Sequence, residues 1–341
     1  MEFGREMQDE TEARDMWGIN TRTTVGRILA TRKKRVLLHF PAGLANKGID
    51  IADGLHREDK DVMAFVWSEP CFGACDVPYF AATALECDLI VTFGHSPMQS
   101  SGKDQDEKIP TIFIEPAWQG KARFDPEKLA ESVRGYKRIG LVATIQYLEV
   151  MKGVKKALEE CDHSVVLSEG GMMSPYEGQV TGCDFAAAGN IMKSVDCIVL
   201  VSDGSFHTDG LARAVDGKPL VVCDPESGSV VRVEVNADGE RKALLRAATF
   251  LHSKKVFGIM VSIKPGQKNL KTAERIASLL KARGKTAIIL AADSFNPGAV
   301  QNFSGIEILV NTACPRMAED AECFGRPIIQ SYDVINACLL K

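Results

Sequence analysis

Apolar residues along this chain fall into short unbroken runs, parted by longer stretches in which they recur every third or fourth position, as strands alternating with amphipathic helices would give. In the first third the runs predict strands at 36–40, 62–67, 89–93 and 111–114, with a Pro41-Ala42-Gly43 turn, a helix near 47–55 and a short helix after Asp76. The second third repeats the plan, with strands at 139–143, 164–167 and 198–201, a helix over 147–160, a Gly170-Gly171 loop, and Cys183 opening a further helix. The last third has helices at 241–252 and 270–283 and strands at 256–261, 287–290 and 307–310. Strands so uniformly apolar belong in parallel sheets covered on both faces. The opening strands, at Val36, Ile139 and Val256, lie 103 and 117 residues apart, a coarse internal repeat of domain size. The expected fold is α/β: three similar βαβ-type domains with parallel sheets, over residues 25–130, 131–235 and 236–341, arranged around a central cluster site. Residues 1–24 carry Glu2, Glu6, Asp9, Glu10, Glu12 and Asp15 with little apolar periodicity, and read as an acidic mobile tail or a loosely attached helix.

A length of 341 residues, 45% hydrophobic and 25% charged, suits a globular protein with a sizeable core. The formal net charge of -4 disfavours nucleic acid and anionic membrane as partners. The basic run Arg32-Lys33-Lys34-Arg35 fits a solvated strand entrance at least as well as a phosphate contact. No stretch has the unbroken apolar length of a membrane span, and the first residues are acidic and polar, so a cytoplasmic location is expected.

Ten cysteines without a secretory signal point to metal binding or catalysis rather than a disulfide framework. Cys87, Cys197 and Cys223 flank or end apolar runs and read as buried core thiols. Three others follow small or turn-forming residues: Gly73-Ala74-Cys75-Asp76, Thr181-Gly182-Cys183-Asp184 and Thr312-Ala313-Cys314-Pro315-Arg316. They lie 108 and 131 residues apart, one per third of the chain, which suggests a single iron-sulfur cluster held by Cys75, Cys183 and Cys314. Three thiolates leave one iron of a cubane open, an arrangement suited to catalysis. Structural zinc is the rival, but it favours four ligands with paired short spacings, and Cys71-x3-Cys75 is the sole close pair of the right kind. Spacing alone leaves unrelated structural thiols as an open alternative.

The words around these cysteines add a resemblance. Glu-Pro-Cys-Phe-Gly-Ala-Cys-Asp at 69–76, Phe-Gly-His-Ser at 93–96, Gly-Gln-Val-Thr-Gly-Cys-Asp at 178–184, Phe-His-Thr-Asp-Gly-Leu-Ala at 206–212 and Asn-Thr-Ala-Cys-Pro-Arg at 311–316 stand in order along the chain. The sequence from about Val36 onward resembles the archaeal diphthamide-biosynthesis enzymes, the 2-(3-amino-3-carboxypropyl)histidine synthases. One family word, Phe-Pro-Glu-Gly-Leu, appears as Phe40-Pro41-Ala42-Gly43-Leu44 and lacks the acid. The resemblance implies an atypical radical enzyme with a 4Fe-4S cluster and S-adenosyl-L-methionine. It would transfer the 3-amino-3-carboxypropyl group to C2 of a histidine imidazole in translation elongation factor 2, with release of methylthioadenosine. It further implies a homodimer and an electron donor, and carries over Cys75, Cys183 and Cys314 as ligands, with Cys71 the competitor for the first position.

Other residues offer roles in binding the cofactor. Gln179 and Asp184 bracket the second ligand, where they would orient S-adenosylmethionine or cap the helix that follows. His207 sits just past an apolar strand, where α/β ligand loops lie. His95 is placed similarly but reads first as a loop histidine bonded to backbone. Arg316 has the guanidinium fork suited to a carboxylate, or makes a surface ion pair. The competing readings are a quinolinate synthase-like 4Fe-4S dehydratase, also built of three α/β domains with one cluster cysteine each, and a partner subunit without chemistry of its own.

Overall fold

The uniformly apolar runs become the central strands of three sheets, and their burial explains why they carry no polar alternation. The computed structural model describes residues 16–99, 109–215, 217–233, 238–318 and 321–339, in two compact units, Met1–Val235 and Asn236–Lys341. The first unit holds two sheets. β1 (Arg35–His39), β2 (Met63–Val66), β3 (Leu89–Phe93) and β4 (Thr111–Ile114) are parallel in the order β2-β1-β3-β4. β5 (Arg138–Ala143), β6 (Ser164–Val166), β7 (Cys197–Val201), β8 (Leu220–Cys223) and β9 (Val230–Val233) follow as β6-β5-β7-β8-β9, with β9 antiparallel. The second unit holds β10 (Val256–Ser262), β11 (Thr286–Ala292), β12 (Ile308–Asn311) and β13 (Ile328–Gln330), parallel in the order β11-β10-β12-β13.

β3 and β7 are buried at every position. The helices that cover the sheets bury one stripe each: Ile51 and Leu55 of Ala45–Glu58, Met151, Val154 and Leu158 of Leu148–Glu160, and Ala273, Ile276, Ala277 and Leu280 of Leu270–Lys281. These are three- and four-residue spacings, so the same positions that signal a helix in the sequence supply its packing face. Each such leucine or isoleucine contributes about 1.5–3 kcal/mol by leaving water.

The repeat extends to single hydrogen bonds. Each first strand runs into one 3-10 turn, at Ala42–Leu44, Ile145–Tyr147 and Pro265–Gln267. At the amino edge, an acid just before each third strand accepts two backbone N–H groups at the start of the first strand. Asp88 takes Lys34 N and Arg35 N at 3.2 and 2.9 Å, Asp196 takes Lys137 N and Arg138 N at 3.0 and 2.8 Å, and Glu307 takes Lys255 N and Val256 N at 2.7 and 2.9 Å. The strand-opening donors would otherwise have no ladder partner.

The bond from Arg138 N, then that from Lys137 N, holds the Asp196 carboxyl below its ordinary range, and Lys255 N and Val256 N do the same for Glu307. A carboxyl with a lowered folded pKa stabilises the fold above its ordinary pKa, and that contribution is lost as the pH falls through the lowered value. Asp196→Ala and Glu307→Ala should therefore unfold at lower temperature than wild type at pH 7, with the gap narrowing once the pH drops below the ordinary carboxylate range. Thermal unfolding followed by circular dichroism across that range checks this, and a gap that does not change with pH would show that the carboxylate charge is not what matters.

Three expectations differ from the structure. Residues 1–15, with all the acids of the expected tail, lie outside the described residues, but Ile19 is buried in the first core and a helix capped by Asn20 spans Thr21–Ala30. This helix is short and rich in threonine, with few apolar positions to mark a period. The helix expected to open at Cys183 begins later, at Ala186–Ile191, because Thr181 and Asp184 first close a turn by backbone pairing. β8, β9 and β13 complete the sheets beyond the elements the pattern predicts, since three or four residues are too few to show a period, and the ten-residue helix Ser205–Ala214 was likewise not predicted.

Candidate iron-sulfur site

Each sheet order reverses direction between its first and third strands, and in open parallel sheets ligands meet the crevice at the carboxyl ends beside such a reversal. The candidate ligands lie at these carboxyl edges, on loops. Cys75 lies in the 3-10 turn Ala74–Asp76, in the connection that follows β2. Asp76 N donates to Gly73 O at 3.1 Å, and Asp76 Oδ2 accepts Phe72 N at 3.2 Å, so the loop closes around the cysteine. Cys75 and Cys71 are both buried. Cys71 places Sγ 3.6 Å from His39 Nδ1 and 3.8 Å from His95 Nδ1. His95 Nδ1 is 3.1 Å from Phe93 O, the backbone bond expected of a loop histidine. Burial lowers the His95 pKa, against the opposite pull of the Phe93 carbonyl. Gly94, at φ +80°, permits the turn that brings His95 back, where any Cβ would press on Pro41.

The second edge begins at Gln179, wholly buried beside the end of β5. Its Nε2 donates to Ser96 Oγ at 2.8 Å and its Oε1 accepts Tyr176 N at 3.1 Å. The words at 93–96 and 178–184, far apart in sequence, are thus joined by one buried hydrogen bond. Tyr176 OH also donates to Glu115 at 2.6 Å, and that bond, followed by burial, pushes the phenol up to about 12. Cys183 is exposed, with Sγ 3.6 Å from Thr181 Oγ1. Asp184 accepts Ala186 N at 3.0 Å and Met173 N at 2.8 Å, so it ties the Gly170-Gly171 loop to the first residue of the next helix. Gly171 packs against that carboxylate, with no room for a Cβ. His207, on the helix Ser205–Ala214, has Nδ1 3.4 Å from Ser202 Oγ at the end of β7.

In the second unit Cys314 is half-buried after β12, and Asn311 Nδ2 donates to its carbonyl at 2.7 Å. Arg316 is exposed on the 3-10 turn Pro315–Ala318. Two buried polar residues at this edge were not singled out from the sequence: Lys264 and Gln267, 6% and 8% exposed, directly after β10. Their signal was positional, since Lys264-Pro265-Gly266-Gln267 occupies the turn that Pro41-Ala42-Gly43-Leu44 fills in the first sheet. His39, the last residue of β1, was likewise missed, because a histidine closing an apolar run looks like core.

The remaining cysteines do not share this placement. Burial pushes the thiols of Cys87, Cys197, Cys223 and Cys338 up, to about 12 for Cys197 and Cys223. Cys161 is exposed but caps the far end of Leu148–Glu160, and exposed Cys323 precedes β13, so both lie away from the carboxyl edges. Each of the three is a loop cysteine at a carboxyl edge held by a hydrogen-bonded turn, the donor type of thiolate-bound iron-sulfur groups, and among the described residues no group of three or more His, Cys, Asp or Glu is gathered to hold a metal ion. The repeat is not in register, since Cys75 follows the second strand of its sheet and Cys314 the third.

A family model for diphthamide synthesis proteins matches residues 40–340. The chain belongs to the diphthamide synthesis family. Within that family, the 2-(3-amino-3-carboxypropyl)histidine synthase of Pyrococcus horikoshii is 31% identical over 307 residues, covering 88% of this chain and 84% of the relative. Subunit 1 of the Homo sapiens synthase is 28% identical over 323 residues, 92% of this chain and 70% of the relative. Among solved structures, Dph2 from Pyrococcus horikoshii with a 4Fe-4S cluster superposes with a TM-score of 0.83 at 26% identity, covering 95% of this chain and 92% of that one. Its likeness extends the diphthamide synthesis family's fold, with three mostly parallel sheets, over nearly the whole chain. Among the described residues no helix is long and apolar enough to cross a membrane.

Proposed function

We propose that this chain is a 2-(3-amino-3-carboxypropyl)histidine synthase that moves the 3-amino-3-carboxypropyl group of S-adenosyl-L-methionine to C2 of a histidine imidazole in translation elongation factor 2, the first step of diphthamide biosynthesis. The observation that carries this reading is the likeness, over 95% of the chain, to a Dph2 that holds a 4Fe-4S cluster, together with cysteines on hydrogen-bonded loops at the carboxyl edges. Cys75, Cys183 and Cys314 would hold the cluster, which supplies the electron that opens the sulfonium bond to the methionine γ-carbon.

The protein's own share is binding and orientation. Arg316 offers a guanidinium fork for the methionine carboxylate, and His207 a ring at the mouth of β7 for a polar group of the donor. Gln179 has both ends of its amide engaged by Ser96 and Tyr176 and is wholly buried, so its part is to fix the Cys183 loop. The reading extends to a cytoplasmic homodimer served by an external electron donor.

Anaerobic incubation of the reconstituted protein with S-adenosylmethionine, dithionite and elongation factor 2 should release methylthioadenosine and leave one histidine of the factor heavier by one 3-amino-3-carboxypropyl group in place of hydrogen. If neither product forms with a protein that carries iron, the reading is wrong.

A further inference from the structure

In the first sheet the direction reverses between β1 and β3, and the two carboxyl ends there carry His39 and His95. The register pairs His39 with Thr92, so the two strand ends lie side by side. Cys71 stands between the imidazoles, its Sγ 3.6 Å from His39 Nδ1 and 3.8 Å from His95 Nδ1. None of the three is among the proposed ligands Cys75, Cys183 and Cys314. Their burial is graded: His39 is 0% exposed, Cys71 7%, and His95 is partly exposed. The group therefore runs from the core to the carboxyl edge, with His95 outermost.

The contacts assign the His95 tautomer. Phe93 O, 3.1 Å from Nδ1, can only accept, so Nδ1 carries the proton and Nε2 keeps its lone pair. A neutral imidazole held by its Nδ1–H, with the basic nitrogen left for other work, has the arrangement of a general base.

The proposed transfer needs one. One electron enters the sulfonium and the bond from sulfur to the γ-carbon breaks, so that sulfur leaves as a neutral thioether and the γ-carbon keeps a single electron. The carbon–carbon bond forms as that radical adds to C2 of the acceptor imidazole, and the adduct then returns one electron to the group that supplied it and loses the C2 hydrogen as a proton. The balance needs no net oxidant or reductant, but it does need a proton acceptor at the edge where the group is joined. Cys75 is four residues from Cys71 in the same loop, so His95 shares that edge.

We propose that His95 Nε2 is the base that takes the C2 proton, an inference that rests on the transfer reading above. Cys71 and His39 are positioning residues behind it. Once Nε2 is protonated, the ring's Nδ1–H is shared between Phe93 O and Cys71 Sγ, and the His39–Cys71 contact fixes the sulfur that faces it.

The test compares wild type, His95→Gln and Cys71→Ala in one anaerobic reaction, with elongation factor 2 carrying histidine deuterated at C2. Methylthioadenosine and modified histidine are both counted. In wild type the two should form in equal amounts. In His95→Gln the modified histidine should fall by about 100-fold, while bond cleavage continues, raising the ratio of methylthioadenosine to product at least about tenfold. A primary isotope effect on product formation should appear, because loss of the C2 hydrogen has become slow. Iron content and the reduced-cluster spectrum should match wild type. Cys71→Ala should move the ratio in the same direction by less, and carries the test if His95→Gln is insoluble. An unchanged ratio, or both products falling together, would overturn the assignment, since damage to structure or cluster lowers both. A wild type that releases no methylthioadenosine would instead end the transfer reading itself.

Discussion

Replacing Cys75, Cys183 or Cys314 by alanine should take the anaerobically reconstituted protein from about four irons per chain to about one or fewer, and abolish the electron paramagnetic resonance signal of the dithionite-reduced protein. Each proposed ligand is one of three thiolates on the same group, so each single substitution should be as damaging as any other. The controls are chosen by environment. Cys197 and Cys223 are wholly buried with thiols pushed up to about 12, so they stay protonated at neutral pH, and alanine there should leave the iron in place. Cys71→Ala is the sharper control, because Cys71 shares a loop with Cys75 but directs its sulfur to His39 and His95. Retained iron and signal in that variant would fix Cys75 as the ligand of the first edge. Iron indifferent to Cys183 or Cys314 would return those cysteines to ordinary packing and remove the basis of the cluster.

The α/β class and most central strands were legible because strands buried on both faces leave unbroken apolar runs, as at 89–93 and 197–201. The covering helices showed for the same reason, each through its single buried stripe. β13 and the threonine-rich helix Thr21–Ala30 did not, because their lengths and compositions give no period, and tertiary contact holds them in place. As candidate ligands, Cys75, Cys183 and Cys314 stood out through the turn-forming residues before them. His39, Lys264 and Gln267 did not, since nothing local distinguishes a buried polar residue at a strand's carboxyl end from one facing solvent. The repeated acids were in view as Asp88, Asp196 and Glu307 at the mouths of apolar runs, but their common task depends on backbone donors more than fifty residues earlier.

Gln179 shows how far such a partner can lie, and its replacement should be the most destabilising change at the candidate site. Gln179→Leu keeps the volume but removes the donor to Ser96 Oγ and the acceptor of Tyr176 N, in a place from which water is excluded. A buried hydroxyl and a part-buried N–H left without their partner should together cost about 1–3 kcal/mol. Trp17, Trp67 and Trp118 all belong to the first unit, so the urea transition followed by tryptophan fluorescence reports on the unit that holds this bond. The midpoint should fall clearly in Gln179→Leu and less in Ser96→Ala, whose own loss leaves only one amide hydrogen unmet. The double variant should be less unstable than the sum of the two, with a coupling of about 1 kcal/mol, because the second substitution removes a bond already gone. Strict additivity would mean that the bond between the words at 93–96 and 178–184 does not tie the two edges together. In that case Cys183 must be placed by the Thr181–Asp184 turn alone, and Gln179→Leu should then leave cluster assembly untouched.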